Sequence, residues 1–203
     1  GRIDVLFNNA AYGQPGAVED LKKEVLREQF ETNVFGTQEL TNLVIPYMRK
    51  QKSGRIIYNS SILGFVAMSY RGAYNASKFA IEGLADTLRL ELHKSGVEVV
   101  LIEPGPIRSD FRKNALAKFL EHIDQEHSAH SKVYAKTLAR LQKSGDAPFT
   151  LGSEAVLEVL IRAIEAQNPK ARYGVTFPTK LFAWLKRFLS TRLLDTIARK
   201  ASE

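Results

Sequence analysis

The sequence predicts an α/β domain built on a doubly wound parallel sheet, and three observations carry that expectation. Short apolar runs of strand length alternate with amphipathic stretches of helix length. Each run stops at a polar or Pro-Gly turn, as strands do when they hand over to crossover helices. The chain is also large enough for one packed core: 203 residues, of which 44% are hydrophobic and 25% charged.

Ile3–Phe7 is the first apolar run and stops at Asn8-Asn9-Ala10-Ala11, so it is read as a buried strand ending in a polar turn. Gly13, Pro15 and Gly16 make the next loop irregular. From Leu21 to Met48 the apolar residues Val25, Leu26, Phe30, Val34, Leu40, Leu43 and Val44 recur at helical spacing. They predict a short helix followed by a longer one, Glu31–Arg49. Ser53-Gly54 breaks that pattern, and Arg55–Ser60 is the second strand.

Gly64–Gly72 is loop, and Ala73–Lys94 is a strong helix with Ala80, Leu84, Leu88 and Leu92 every fourth residue, ended by Ser95-Gly96. Val97–Ile102 is the third strand, stopped by Pro104-Gly105-Pro106. Residues 107–150 are polar, hold all but one of the histidines, and are expected to form helical pieces of a mobile flap. Ser153–Gln167 is a further amphipathic helix and Arg172–Phe177 a late strand. Lys180–Lys200 divides near Ser190-Thr191 into two basic, amphipathic helices, placed within 179–200. The whole chain, 1–203, is read as one domain. Right-handed crossovers would make the sheet doubly wound, with ligands beyond the carboxyl ends of the strands. Asn8-Asn9, Ser60-Ser61 and Pro104-Gly105 lie at those ends and should converge.

Composition removes several function classes. No apolar run approaches the ~18 residues of a membrane span. There are no cysteines, which excludes disulfides, thiolate catalysis and cysteine-ligated zinc and fits a reducing, cytoplasmic compartment. The net charge is +7, but from Lys170 onward eight basic residues face two acidic ones, so the preceding residues are nearly neutral. A nucleic-acid-binding domain would carry its basic stripe on the main body, so no nucleic-acid partner is expected. His122, His127 and His130, with Glu121, Asp124 and Glu126, match no standard zinc spacing and read as a solvated surface, so no metal is assigned. Phe182, Trp184, Leu185, Phe188, Leu189, Leu193 and Leu194 form a stripe among cations. Core packing, a substrate lid, a dimer contact and peripheral membrane contact all remain open explanations.

The chemistry centres on Tyr74 and Lys78, four residues apart on one helix face. A tyrosine pKa near 10 is too high for proton transfer at neutral pH, and a neighbouring ammonium favours the phenolate. The pair is a candidate general acid/base, although a Tyr-x-x-x-Lys match is by itself nearly expected by chance. Its context is more specific: Ser61 precedes Tyr74 by thirteen residues, Asn33 sits in Glu31-Thr32-Asn33-Val34-Phe35-Gly36, and Pro104-Gly105-Pro106-Ile107-Arg108-Ser109 follows.

With these motifs in this order, nearly the whole chain resembles the classical short-chain dehydrogenase/reductase family, nearest its retinol- and steroid-dehydrogenase-like branch. The resemblance implies a Rossmann-like fold and hydride transfer between NAD or NADP and an alcohol, aldehyde or ketone, and the many Phe, Leu and Ile side chains of the flap and C-terminal segment point to an apolar one. It implies that Tyr74 exchanges the proton, Lys78 holds the nicotinamide ribose and lowers the tyrosine pKa, Ser61 fixes the carbonyl oxygen, and Asn33 holds a relay water. It further implies that Asn8, Asn9 and Ala10 lie near the adenosine side of the cofactor, and that Pro104, Gly105, Ile107 and Ser109 face the nicotinamide carboxamide. Ala11 stands where the family usually has glycine.

The family's glycine-rich phosphate loop and first three strands have no counterpart in these 203 residues. The expectation is therefore a fragment that binds cofactor poorly alone and exposes a sheet edge, and a homo-oligomer in full-length form. A non-catalytic binding or scaffold protein on the same fold is the alternative.

Overall fold

The computed structural model describes residues 1–142 and 145–202. Four parallel strands, β1 (Val5–Asn8), β2 (Gly54–Asn59), β3 (Val97–Glu103) and β4 (Arg172–Gly174), lie in the order β1-β2-β3-β4. Consecutive strands are neighbours, so every connection is a crossover through helices: α1 (Lys23–Phe30) and α2 (Gly36–Gln51), then α3 (Gly72–Glu91), then α4 (Phe111–His122), α5 (Ser131–Gln142) and α6 (Glu154–Glu165). After β4 come α7 (Phe177–Phe188) and α8 (Thr191–Ser202).

Side chains alternate across each strand, and both faces of the sheet are covered. Ile56, Tyr58, Val99 and Leu101 pack against Val44 and Met48 of α2 and Ile81, Ala85 and Leu88 of α3. Ile57, Val100 and Ile102 face the other way, onto Val159 and Ala163 of α6. This is the doubly wound parallel architecture expected from the sequence. The outer side of β1 has no strand partner among the described residues, and Val5, Leu6 and Phe7 are only half-buried.

Three local differences have physical causes. The expected single helix Glu31–Arg49 is broken at its start by a π-turn over Glu31–Phe35. There Asn33 is turned inward, accepting from the Tyr12 amide at 3.1 Å and donating to the Tyr12 carbonyl at 2.9 Å. The late strand is shorter than expected and Phe177 opens α7 instead, because Thr176 caps that helix and Pro178 suits its first turn. Residues 107–150 have a core of their own: Phe119 and Ile123 of the α4 end and Tyr134 of α5 close on Ala17, and the Tyr134 hydroxyl accepts from the Ala17 amide at 2.9 Å.

The histidines of that segment go to separate partners. His122 bonds Gln14 at 2.8 Å, His127 bonds Asp124 at 3.0 Å, and His130 bonds Glu19 at 2.5 Å. Among the described residues no helix is long and apolar enough to cross a membrane.

The β2–β3 crossover ends in a tight clamp. Gly96 has φ +83°, and a Cβ there would fall 2.1 Å from the Lys52 carbonyl oxygen, while its own carbonyl accepts from the Gly54 amide at 3.2 Å. Gly96→Ala is therefore expected to lower unfolding free energy by about 2 kcal/mol or more, from left-handed strain plus the backbone clash. Urea denaturation checks this, and a change under 0.5 kcal/mol would show that the turn relaxes freely.

Candidate active site

The site is assembled where β2 and β3 end. Ser61 follows β2 in extended backbone and caps a short 3-10 turn, Ile62–Gly64, its hydroxyl accepting from the Leu63 amide at 3.1 Å. That bond holds the oxygen in place, near enough to the Tyr74 phenol to oppose the rise of its pKa. Tyr74 is the third residue of α3 and Lys78 lies one turn further on, its Nζ 5.6 Å from the Tyr74 ring centroid. The Lys78 ammonium is 4% exposed and donates to the Asn59 carbonyl at 2.7 Å. Serine, phenol and amine thus share one cleft.

The strand-end turns are laced together. The Ile62 amide donates to the Pro104 carbonyl at 2.8 Å, and the Asn59 side chain donates to Asn9 Oδ1 at 2.7 Å. Ala10 follows Asn9 on the exposed lip of the cleft. Asn8 points elsewhere: it is buried and donates to Thr41 at 2.9 Å, pinning β1 to α2. Gly105 is needed for close approach, since a Cβ there would lie 2.1 Å from Thr176 Oγ1. Ile107 bridges to Leu151, and the exposed Ser109 hydroxyl accepts from the Phe111 amide at 3.4 Å at the start of α4. Asn33 connects to the backbone of Tyr74 rather than to its phenol. It donates to Ser77 Oγ at 3.0 Å, and Ser77 donates to the Tyr74 carbonyl at 2.9 Å.

The electrostatics differ from the simple sequence argument. Burial pushes the Tyr74 phenol up to about 12, against the opposing effect of the Ser61 hydrogen bond. Burial also brings the Lys78 ammonium down to about 8, partly opposed by the Glu82 carboxylate. Desolvation dominates at the phenol, and the Lys78 ammonium donates to the Asn59 carbonyl. Phe111 adds to that dryness. Its ring meets the Tyr74 ring edge-on at 5.1 Å and lies so close to Gly13 that a Cβ there would sit 2.5 Å from Cζ.

Sequence reasoning missed an ionic cluster under the site. Arg172 of β4 reaches Glu82 of α3, Asp86 of α3 at 2.6 Å, and Glu103 at the end of β3 at 2.7 Å. Glu82 and Glu103 are buried, and burial holds Glu103 up at about 6 despite Arg172. One signal was available, since Glu82 stands four residues after Lys78 on the same helix face.

Two expectations follow. Gly13→Ala must displace Phe111, so the Tyr74 ring should become more exposed, visible as faster quenching or iodination of that tyrosine. Unchanged reactivity would mean the loop shifts instead. Arg172→Met leaves two buried carboxyls without their cation and should cost roughly 2–3 kcal/mol at pH 7, less than a fully buried pair because Arg172 is partly exposed. Glu103 has a folded pKa above its ordinary 4.5. Its contribution is therefore fully present below pH 4.5 and is lost as pH rises through about 6. The deficit of Arg172→Met should thus shrink on going from pH 7 to pH 5 in paired thermal melts.

Comparison with known proteins agrees with this geometry. Residues 1–119 match the short chain dehydrogenase family. The chain is 38% identical over 192 residues to the uncharacterized oxidoreductase YbbO of Escherichia coli K12, which covers 95% of this chain and 65% of that protein. It is 34% identical over 200 residues to a 3-ketodihydrosphingosine reductase of Bacteroides thetaiotaomicron, covering 98% and 72%. A crystal structure of a short-chain dehydrogenase from Streptomyces avermitilis superposes with a TM-score of 0.70 at 27% identity, covering 93% of this chain and 69% of that one. The chain thus spans just under two thirds of the length of its Escherichia coli relative. With a parallel sheet wound on both faces and a serine, tyrosine and lysine gathered at its carboxyl edge, this chain belongs to the short-chain dehydrogenase family.

Proposed function

We propose that this chain carries the proton-transfer and substrate end of an NAD- or NADP-dependent oxidoreductase interconverting an apolar alcohol with its aldehyde or ketone. The observation that carries the reading is the gathering of buried Ser61, half-buried Tyr74 and buried Lys78 beside the carboxyl end of β2.

The residues present fit a nicotinamide riboside. Asn59 Oδ1 is buried without a hydrogen-bond partner, close to where Lys78 Nζ binds the Asn59 carbonyl. A ribose hydroxyl or carboxamide donor would satisfy it. Tyr74 and Lys78 would hold the ribose, Asn9 and Ala10 would border the adenosine side, and Pro104, Gly105, Ile107 and Ser109 would border the carboxamide. Asn8 serves as a structural pin. When bound, the cofactor supplies or accepts the hydride.

Tyr74 gives its proton to the substrate oxygen, and Ser61 donates a hydrogen bond that fixes that oxygen. Lys78 carries positive charge below its pKa of about 8 and stabilises the phenolate left behind. A phenol held near 12 is a ready proton donor and a reluctant phenolate, which favours carbonyl reduction near neutral pH. Asn33, through Ser77, positions the first turn of α3 on which the phenol rides. An apolar substrate is supported by the cluster of Ile62, Leu63, Val66 and Phe182 around Tyr74. The lipid-like ketone in the name of the Bacteroides relative points the same way.

Assayed on the natural full-length gene product with NADH or NADPH and a panel of apolar aldehydes and ketones, Tyr74→Phe should lower kcat by about 10²–10⁴-fold. Cofactor affinity should stay nearly unchanged. The reductive kcat should hold below pH 8 and fall above it as Lys78 loses its proton, with the inflection absent in Lys78→Met. Equal rates for Tyr74→Phe and the parent would transfer the reading to a non-catalytic binding protein.

A further inference from the structure

The C-terminal stripe divides into two faces. Phe182 of α7 and Ala198 of α8 are buried and pack on Ile62 and Leu63, the turn that carries Ser61. Phe177, Leu181, Trp184 and Phe188 recur at intervals of four, three and four, so they line a single ridge along α7, opposite its buried Thr179 and Phe182. All four are exposed, Trp184 by 57% and Phe188 by 68%. The ridge runs for about 16 Å at the helical rise. Phe149 extends it, its ring 5.5 Å from Phe177, on backbone held at φ +62°, a conformation bulky side chains avoid. An aromatic ridge pointing straight away from the core has no folding role to explain it.

Its surroundings say what covers it. Lys180 and Arg187 line one edge of the ridge on α7, and Arg192, Arg199 and Lys200 follow on α8. From Lys170 to the end of the chain, the only acidic residues are Asp195 and Glu203. The ridge is convex and carried by one helix, where a partner protein's helix would call for a groove. Trp and Phe facing outward beside a row of Lys and Arg is the pattern of a helix lying in the headgroup–acyl boundary of an anionic bilayer.

We propose that α7, with Phe149, seats the protein on an anionic membrane surface. The seated helix is the one whose inner face closes over the Ser61–Tyr74 cluster, so docking places the cleft beside the bilayer from which an apolar carbonyl substrate would come. Docking itself does not depend on the oxidoreductase reading, and its test uses no turnover.

The full-length gene product is mixed with vesicles of phosphatidylcholine alone or with 30% phosphatidylglycerol, at low and high salt. Co-sedimentation should be confined to the anionic vesicles at low salt. Trp184, the lone tryptophan of these 203 residues, should shift its emission to the blue and be quenched by brominated acyl chains, a signal lost in Trp184→Phe. The pair Lys180→Glu and Arg187→Glu should weaken partitioning at least tenfold, and Leu181→Glu should abolish it, with circular dichroism and thermal melts unchanged. Equal partitioning to neutral and anionic vesicles would overturn the proposal. So would absent binding, or Trp184 burial that tracks protein concentration without lipid, which would assign the ridge to a second copy.

Discussion

An ammonium group removed from water must be compensated inside the protein, and the site is organised around how that is done for Lys78. The nearest compensation is dipolar: the Asn59 carbonyl, at the last residue of β2, accepts directly from Nζ. The next is ionic: Glu82, one turn along α3, faces the amine and is in turn bound by Arg172. Arg172 spreads its charge over Glu82, Asp86 and Glu103. A charge needed at the cleft is thus balanced through a chain of groups on α3, β3 and β4, and the relative placement of those elements sets the proton affinity of the amine.

The same burial governs the phenol. In water a lysine neighbour would make the tyrosine more acidic, but behind Phe111 the loss of hydration dominates and the phenol stays neutral. A neutral phenol, a charged amine and a serine whose oxygen is held by a backbone amide are complementary to a carbonyl taking up hydride. The Tyr74 ring also packs against the apolar cluster that α7 and α8 complete, so the phenol and the C-terminal helices share one packing unit. An event on the outer face of α7 is separated from the cleft by the thickness of a single helix.

The layered fold was legible in the linear pattern. Apolar runs of strand length ending at Asn8, Ser60 and Pro104 describe strands buried on both faces, and the four-residue recurrence through α3 describes a helix lying on them. The convergence of the turns after β1, β2 and β3 followed from the rule for such sheets, whereas the grouping of Ser61, Tyr74 and Lys78 was implied by the family resemblance. Less legible was what each polar residue does there. Asn8 and Asn9 are adjacent in sequence, yet strand pleating sends one inward to Thr41 and the other to the cleft lip. The C-terminal stripe looked continuous, but α7 turns Phe182 inward and Trp184 outward.

By itself, then, the sequence determined the architecture and singled out Tyr74 and Lys78 as a candidate pair, because both rest on periodicity and on short spacings along one helix or turn. The tertiary structure alone decided the proton affinities and the charge balance. Those depend on distance and hydration between groups far apart in the chain: Arg172 against Glu82, and Phe111 against Tyr74. No local pattern encodes how much water two such groups keep once the helices close over them.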